Sequence, residues 1–159
     1  MKTSQIGVDL IKHFEGLHDG DLSTIGLQPK MCPAGIYTEG YGRAMRDKNG
    51  DFIKDKKTAY ANISIHTEEE AEIALEQDLQ VFERIVISKL KVSVDQNQFD
   101  ALVSHAYNTG GSSTTLFKMV NNGDASIRAW WVSHYIIGGG KKLKGLIARR
   151  EAEAKLYFL

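Results

Sequence analysis

Cys32-Pro33-Ala34-Gly35-Ile36-Tyr37-Thr38-Glu39-Gly40-Tyr41-Gly42-Arg43 is the stretch on which the fold turns. Three glycines and a proline surround Ile36-Tyr37-Thr38, a β-favouring piece. Such a composition makes a short strand between tight turns rather than a helix. The same texture extends in both directions. Gly20, Gly26, Gly35, Gly40, Gly42, Gly50 and both prolines of the chain fall between residues 16 and 66. Asn49-Gly50, between Met45 and Phe52, reads as a hairpin turn. Residues of about 16–66 are therefore expected to form a small β lobe.

Helical patterns lie on either side. Thr3 or Ser4 caps a first helix over 4–15, in which Ile6, Leu10 and Phe14 recur every fourth residue and which Gly16 ends. Thr67-Glu68-Glu69-Glu70 is a capping box. It opens a long helix carrying Ala71, Ala74, Leu75, Leu79, Phe82, Ile85, Val86 and Leu90, long enough to link two lobes. Asp95 with Gln98 starts another helix, which buries Phe99, Leu102, Val103 and Ala106 and ends near Gly110. Ser112 to Thr115 offer caps for a short helix through Val120, and Asp124 caps one containing Trp130 and Trp131. After Gly138-Gly139-Gly140 a last helix runs from about Lys144 to Tyr157. The expected class is α+β, with a helical lobe of about 67–159 behind the sheet. At 159 residues the chain is one domain.

Composition narrows the function classes. Hydrophobic content of 42% and charged content of 25% are ordinary for a globular protein, and a formal net charge of zero leaves no basic footprint for nucleic acid. One cysteine allows no intrachain disulfide. The N-terminus shows no signal-peptide pattern, and no stretch reads as a membrane span. The expectation is a monomer kept in a reducing cytoplasm, without stable membrane association. The five histidines have no ligand spacing, and one cysteine cannot build a zinc site. Asp47-x-Asn49-Gly50-Asp51 lacks the spacing of a calcium loop and reads as a turn, and Gly138-Gly139-Gly140-Lys141-Lys142 lacks Walker spacing and reads as a solvated loop. No nucleophile elbow accompanies the serines. No metal or cofactor is implied.

Glu15 is the strongest candidate for chemistry. At a helix C-terminus it faces the negative end of the macrodipole, which disfavours its ionised form, and Phe14 and Leu17 work in the same direction by desolvation. A carboxyl group that keeps its proton is what a general acid needs. Further along, the glycine-rich hairpin presents the Cys32 thiol and the Thr38 hydroxyl. An acid paired with a water-holding group is what cleavage of a glycosidic bond requires.

These residues resemble the phage-type lysozymes of glycoside hydrolase family 24, whose members carry a Glu, then an Asp or Cys, then five residues and a Thr. Cys32 and Thr38 keep that gap, and Thr38-Glu39-Gly40-Tyr41-Gly42 matches the family's Thr-x-Gly-Tyr-Gly ending. Gln98-Phe99-Asp100-Ala101-Leu102-Val103-Ser104-His105-Ala106-Tyr107-Asn108-Thr109-Gly110 is similar to its central helix, and Gly145-Leu146-Ile147-Ala148-Arg149-Arg150-Glu151-Ala152-Glu153 to its Gly-Leu-x-x-Arg-Arg-x-x-Glu ending.

The resemblance implies a lysozyme-like fold with an active-site cleft between the lobes. It implies an N-acetylmuramidase that hydrolyses the β-1,4 bond between N-acetylmuramic acid and N-acetylglucosamine of peptidoglycan and lyses the host cell. Glu15 would be the acid, with Thr38 and Cys32 acting on water. Gly40, Tyr107 and Asn108 would face the substrate, and Arg149 would pair with Glu15. The enzyme would wait in the cytoplasm for a holin-type pore before reaching the cell wall.

Each assignment has a plainer counterpart. Cys32 is also a small space-filling residue, and a thiol is a weaker base for water than the Asp common in the family. Thr38 is also an ordinary strand residue, and Gly40 and Gly42 are turn glycines that equally let a polysaccharide lie close to the backbone. Tyr107 and Asn108 suit a core aromatic and a helix cap. Residues 17–31 form an insertion relative to the family, and either Asp19 or Asp21 in it is an alternative base. Two rival activities remain open: a lytic transglycosylase on a similar fold, and a non-catalytic peptidoglycan-binding domain.

Overall fold

The computed structural model describes all 159 residues. They form two compact units, Glu15–Asp78 and a second made of Met1–Phe14 with Leu79–Leu159. The chain is α+β, as the sequence implies.

The Glu15–Asp78 unit is built on a three-stranded antiparallel sheet. Its strands are β1 (Lys30–Met31), β2 (Tyr37–Glu39) and β3 (Arg43–Ala44), in that order. Thr38 sits in the central strand, opposite Lys30 on one side and Ala44 on the other. The β1–β2 turn is closed by Gly35 N–H donating to the Cys32 carbonyl (2.9 Å) and Cys32 N–H donating to the Ile36 carbonyl (2.8 Å). The Asn49-Gly50 turn forms as expected. A bridge pairs Arg46 with Phe52, and the Asp47 carboxylate accepts from the backbone N–H groups of Asn49 (2.8 Å) and Asp51 (3.0 Å).

One element here was not legible in sequence. A short helix, α2 (Lys56–Ala61), starts at Asp55, whose side chain accepts from Thr58 N–H. Six residues are too few to show a helical period, and the surrounding pattern reads as loop. Ala59 of α2 joins Tyr37, Met45 and Ile53 in a small apolar core.

The long helix α3 (Glu68–Lys89) opens with the expected capping box: Glu70 N–H donates to the Thr67 hydroxyl, and Thr67 N–H to the Glu70 carboxylate. The unit boundary falls inside this helix, after Asp78, and not at its start near residue 67. The reason is Arg43, which ties β3 to the first half of α3 by donating to the Ala74 carbonyl (2.6 Å) and to both Asp78 oxygens (2.9 and 3.0 Å). Buried Glu39 does the same for the lead-in, accepting from the N–H groups of Ser64 (3.0 Å) and Ile65 (3.1 Å).

The second unit begins with the first helix, α1 (Gln5–Glu15), up to Phe14. That helix therefore belongs with the C-terminal helices. Its start is tied to them by Thr3 N–H donating to Glu83 (2.7 Å) and Ser4 N–H to Asp100 (2.9 Å). The centre is α4 (Gln96–Thr109), on which every residue from Phe99 to Ala106 is buried. Asp95 and Gln98 form its capping box, and Gly110, left-handed at φ +66°, ends it. Helices α5 (Thr114–Asn122), α6 (Ile127–Ser133) and α7 (Lys144–Tyr157) follow, with α7 packed along α4. Asp124 serves α6 one step removed: it folds the approach by accepting from Ser126 N–H (2.8 Å), and Ser126 takes the cap position. Gly138-Gly139-Gly140 is not an open loop. It turns a hairpin between β4 (Ile137–Gly138) and β5 (Lys141–Lys142), with Gly139 and Gly140 supplying the left-handed backbone.

Candidate active site

Glu15 is the last residue of α1 and is half-buried. Gly16 follows at φ +70°, a conformation that stops the helix there. The carboxylate lies against Gly42, where a β-carbon would come within 3.0 Å of Glu15 Oε2. The glycine of the Thr-x-Gly-Tyr-Gly run is thus required by a close approach of the candidate acid, and by its own φ of +87°.

Thr38 is buried at 6% exposure, and its hydroxyl has two neighbours. It lies 3.1 Å from the Lys30 carbonyl, which accepts from it, and 2.6 Å from Nδ1 of His18. His18 is held in place by its own backbone, whose N–H donates to the Gly40 carbonyl at 2.8 Å. Burial lowers the His18 imidazole below its ordinary range. Hydrogen bonding to the Glu15 carbonyl and the Glu15 charge oppose this, Lys30 adds to it, and the Thr38 carbonyl opposes it weakly. The balance favours the neutral ring.

Gly40 is buried, and the space its side chain would occupy is taken by Ile65 Cδ1 (2.9 Å) and Ala71 Cβ (3.3 Å). Its missing side chain serves packing against α3. Cys32 is a half-buried free thiol at the first position of the β1–β2 turn. The two acids of the 17–31 segment hold that segment together. Asp19 accepts from the N–H groups of Asp21 (3.1 Å) and Gln28 (3.3 Å), and Asp21 from Ser23 N–H (3.0 Å) and the hydroxyls of Ser23 (2.5 Å) and Thr24 (2.7 Å). Those hydroxyl and amide bonds hold the Asp21 carboxyl below its usual range, which makes it a poor base.

The remaining sequence candidates lie in the other unit. Tyr107 is half-buried, edge-on to Phe82 at 5.1 Å. The Asn108 side-chain oxygen accepts from Arg150 at 2.7 Å. Arg149 is buried, pairs with Glu153 (3.1 Å) and donates to the Ser104 carbonyl (3.3 Å).

Glu153 is the hub that sequence reading passed over. Its carboxylate also meets Arg150 (3.1 Å), the Ser104 hydroxyl (2.8 Å), His105 Nδ1 (3.2 Å) and the Trp131 indole N–H (3.1 Å). Burial pushes this carboxyl up, but the hydrogen bond from His105 and the charges of Arg150 and Arg149 outweigh it and hold it below its ordinary value. Burial lowers His105, whose other ring nitrogen meets Ser113 Oγ at 2.7 Å. The sequence held a signal for this hub: an i,i+4 and i,i+3 spacing of Arg149 and Arg150 to Glu153 on one helix.

The phage lysozyme profile matches residues 12–153. The chain belongs to the phage lysozyme family. It is 36% identical over 160 residues to the endolysin of Bacillus phage PZA, an alignment that covers 99% of this chain and 55% of that protein. The chain thus spans about half the length of that relative. It is 33% identical over 164 residues to the endolysin of Acyrthosiphon pisum secondary endosymbiont phage 1, covering 99% of this chain and 98% of that one. Among solved structures, the muramidase domain of SpmX from Asticaccaulis excentricus superposes with a TM-score of 0.74 at 28% identity, covering 99% of this chain and 98% of that chain.

In this member of the phage lysozyme family, Glu15, Cys32, Thr38 and Gly40 all belong to the sheet unit, and Tyr107, Asn108 and Arg149 to the helical unit. Within the sheet unit the structure groups Glu15 with Gly42, and Thr38 with His18. His18 was visible only as one residue of the insertion.

Proposed function

We propose that this chain is a lysozyme that cleaves the β-1,4 bond between N-acetylmuramic acid and N-acetylglucosamine, as an endolysin would. The observation that carries the reading is the placement of the Glu15 carboxylate against Gly42, in the turn that follows the strand bearing Thr38. The endolysin relatives and the muramidase-domain neighbour agree with it. Glu15 donates its proton to the leaving oxygen as the glycosidic bond breaks, and a water at the Thr38 hydroxyl attacks the anomeric carbon. With a water standing between acid and hydroxyl, the reaction inverts configuration. Tyr107 and Asn108 are proposed glycan contacts.

Digestion of purified peptidoglycan tests this. Muropeptides with reducing muramic acid ends are the expected product. Anhydromuramic ends would instead identify a transglycosylase, and binding without release a non-catalytic domain.

The reading carries a route to the substrate as well, in which a monomer stays in the cytoplasm until a holin-type pore opens the membrane. No helix is long and apolar enough to cross a membrane. Expression of this chain alone is expected to leave cells intact until chloroform breaks the membrane, and prompt lysis without it would overturn that route.

A further inference from the structure

We propose that His18 is the proton-accepting partner of Thr38, so that hydroxyl and imidazole together remove the proton of the attacking water. The proposal rests on the lysozyme reading above and adds to it the residue that takes the role of the base.

The placement is built by the backbone. Gly16 breaks α1 directly after Glu15, and the chain then returns so that His18 N–H donates to the Gly40 carbonyl at 2.8 Å. That bridge fixes His18 beside the end of β2, and its Nδ1 lies 2.6 Å from the Thr38 hydroxyl. The ring reaches the one hydroxyl that the family pattern assigns to the water.

Hydrogen counting then limits the states. Thr38 has one hydroxyl hydrogen and two neighbours, the Lys30 carbonyl at 3.1 Å and His18 Nδ1 at 2.6 Å. A carbonyl can only accept, whereas the neutral imidazole nitrogen can accept and then keep a proton. In the ring tautomer protonated at Nε2, the Thr38 hydrogen turns from the Lys30 carbonyl to Nδ1, the shorter contact, and the oxygen keeps lone pairs for a proton of water.

The step balances. Water oxygen bonds to the anomeric carbon as the carbon–oxygen bond to the leaving sugar breaks. The Glu15 proton goes to the leaving oxygen. A water proton goes to Thr38 Oγ1 while the Thr38 proton goes to His18 Nδ1. Glu15 becomes an anion as His18 becomes a cation, and solvent later carries the proton back.

The groups facing the ring suit this exchange. Glu15 presents its carbonyl and, after the transfer, a negative charge that stabilises the imidazolium; the Thr38 carbonyl favours the cation too. Lys30 and burial favour the neutral ring beforehand. The insertion supplies no better base, because Asp19 and Asp21 are committed to their own loop.

The test uses the purified full chain, insoluble dye-labelled peptidoglycan and a pH series for wild type, His18→Asn and His18→Ala, with circular dichroism to verify folding. NMR titration reports the His18 ring directly. Asn can still accept the Thr38 hydrogen bond but cannot take up a proton. His18→Asn is expected to stay folded and to lose about 10²- to 10⁴-fold in rate, and the acid limb of the wild-type profile is expected to coincide with the His18 titration and to vanish in the variant. Recovery of near wild-type rate by Asn, with the acid limb unchanged, would overturn the proposal, leaving His18 a spacer for Thr38 and the lysozyme reading intact. Absence of turnover by wild type at every pH would overturn both.

Discussion

Glu15 ends its helix three residues before His18, and the contrast between them defines the residue-scale chemistry: a carboxyl that must give a proton and a ring placed to receive one. Glu15→Gln keeps the size of the side chain and its contact with Gly42 but has no proton to donate. It is expected to lose about 10²- to 10⁴-fold in dye release while its thermal melt stays within a few degrees of wild type. Activity within a few-fold of wild type would remove Glu15 from the mechanism. Cys32 is the second residue-scale question. It is half-buried at a turn, so Cys32→Ser and Cys32→Asp should both fold. If the base role belongs to Thr38 and His18, Cys32→Ser retains rate within a few-fold, measured beside His18→Asn on the same peptidoglycan. A loss in Cys32→Ser as large as that in His18→Asn would return the thiol to the water.

At the scale of elements, the hairpin was legible where turn chemistry is local and illegible where a partner comes from elsewhere. Asn49-Gly50 and the capping boxes at Thr67 and Asp95 are written in adjacent residues, and each forms as read. Gly40 and Gly42 read alike in sequence, yet their surroundings differ. At Gly42 a β-carbon would meet the Glu15 carboxylate, and at Gly40 it would meet Ile65 and Ala71. The difference depends on which distant segments arrive, information that spacing does not hold. The short α2 and the β4–β5 hairpin escaped notice for a related reason, being too brief to show a period.

The two glycines therefore make separable predictions. Gly42→Ala forces a left-handed backbone on alanine, at a cost of about 1–2 kcal/mol, and displaces Glu15. Activity should fall far more than stability does, read as rate against melting temperature on one preparation. Gly40→Ala meets Ile65 and Ala71 besides its own φ of +58°, so its melt should fall further than that of Gly42→Ala. Equal losses of rate and stability in both variants would mean that neither close approach matters specifically.

On the scale of the whole molecule, the helical unit has at its centre a charge cluster that sequence reading assigned to catalysis only in part. Arg149, expected from sequence to pair with Glu15, is a member of the Glu153 hub with Arg150, His105, Ser104 and Trp131. This hub links α4, α6 and α7, so its protonation bears on the stability of the whole unit. Two shifts act with the same sign. Burial holds His105 below its ordinary value of 6.5, so the unfolded chain binds the extra proton first, and stability is lost as the pH falls below about 6.5. Glu153 is held below 4.5, so its contribution is complete above that value and is lost as acid protonates the carboxylate further down. The melting temperature is therefore expected to fall continuously from neutral pH into the acid range. Glu153→Gln removes one partner from a buried set of charges, a change that typically costs about 3–5 kcal/mol, and should remove the lower, carboxylate part of the acid loss because Gln does not titrate, while the part due to His105 remains. Melting curves against pH for wild type and Glu153→Gln decide the point. A wild-type melt that is flat from neutral to acid, or a variant as stable as wild type, would show that the cluster is not what holds α4 and α7 together.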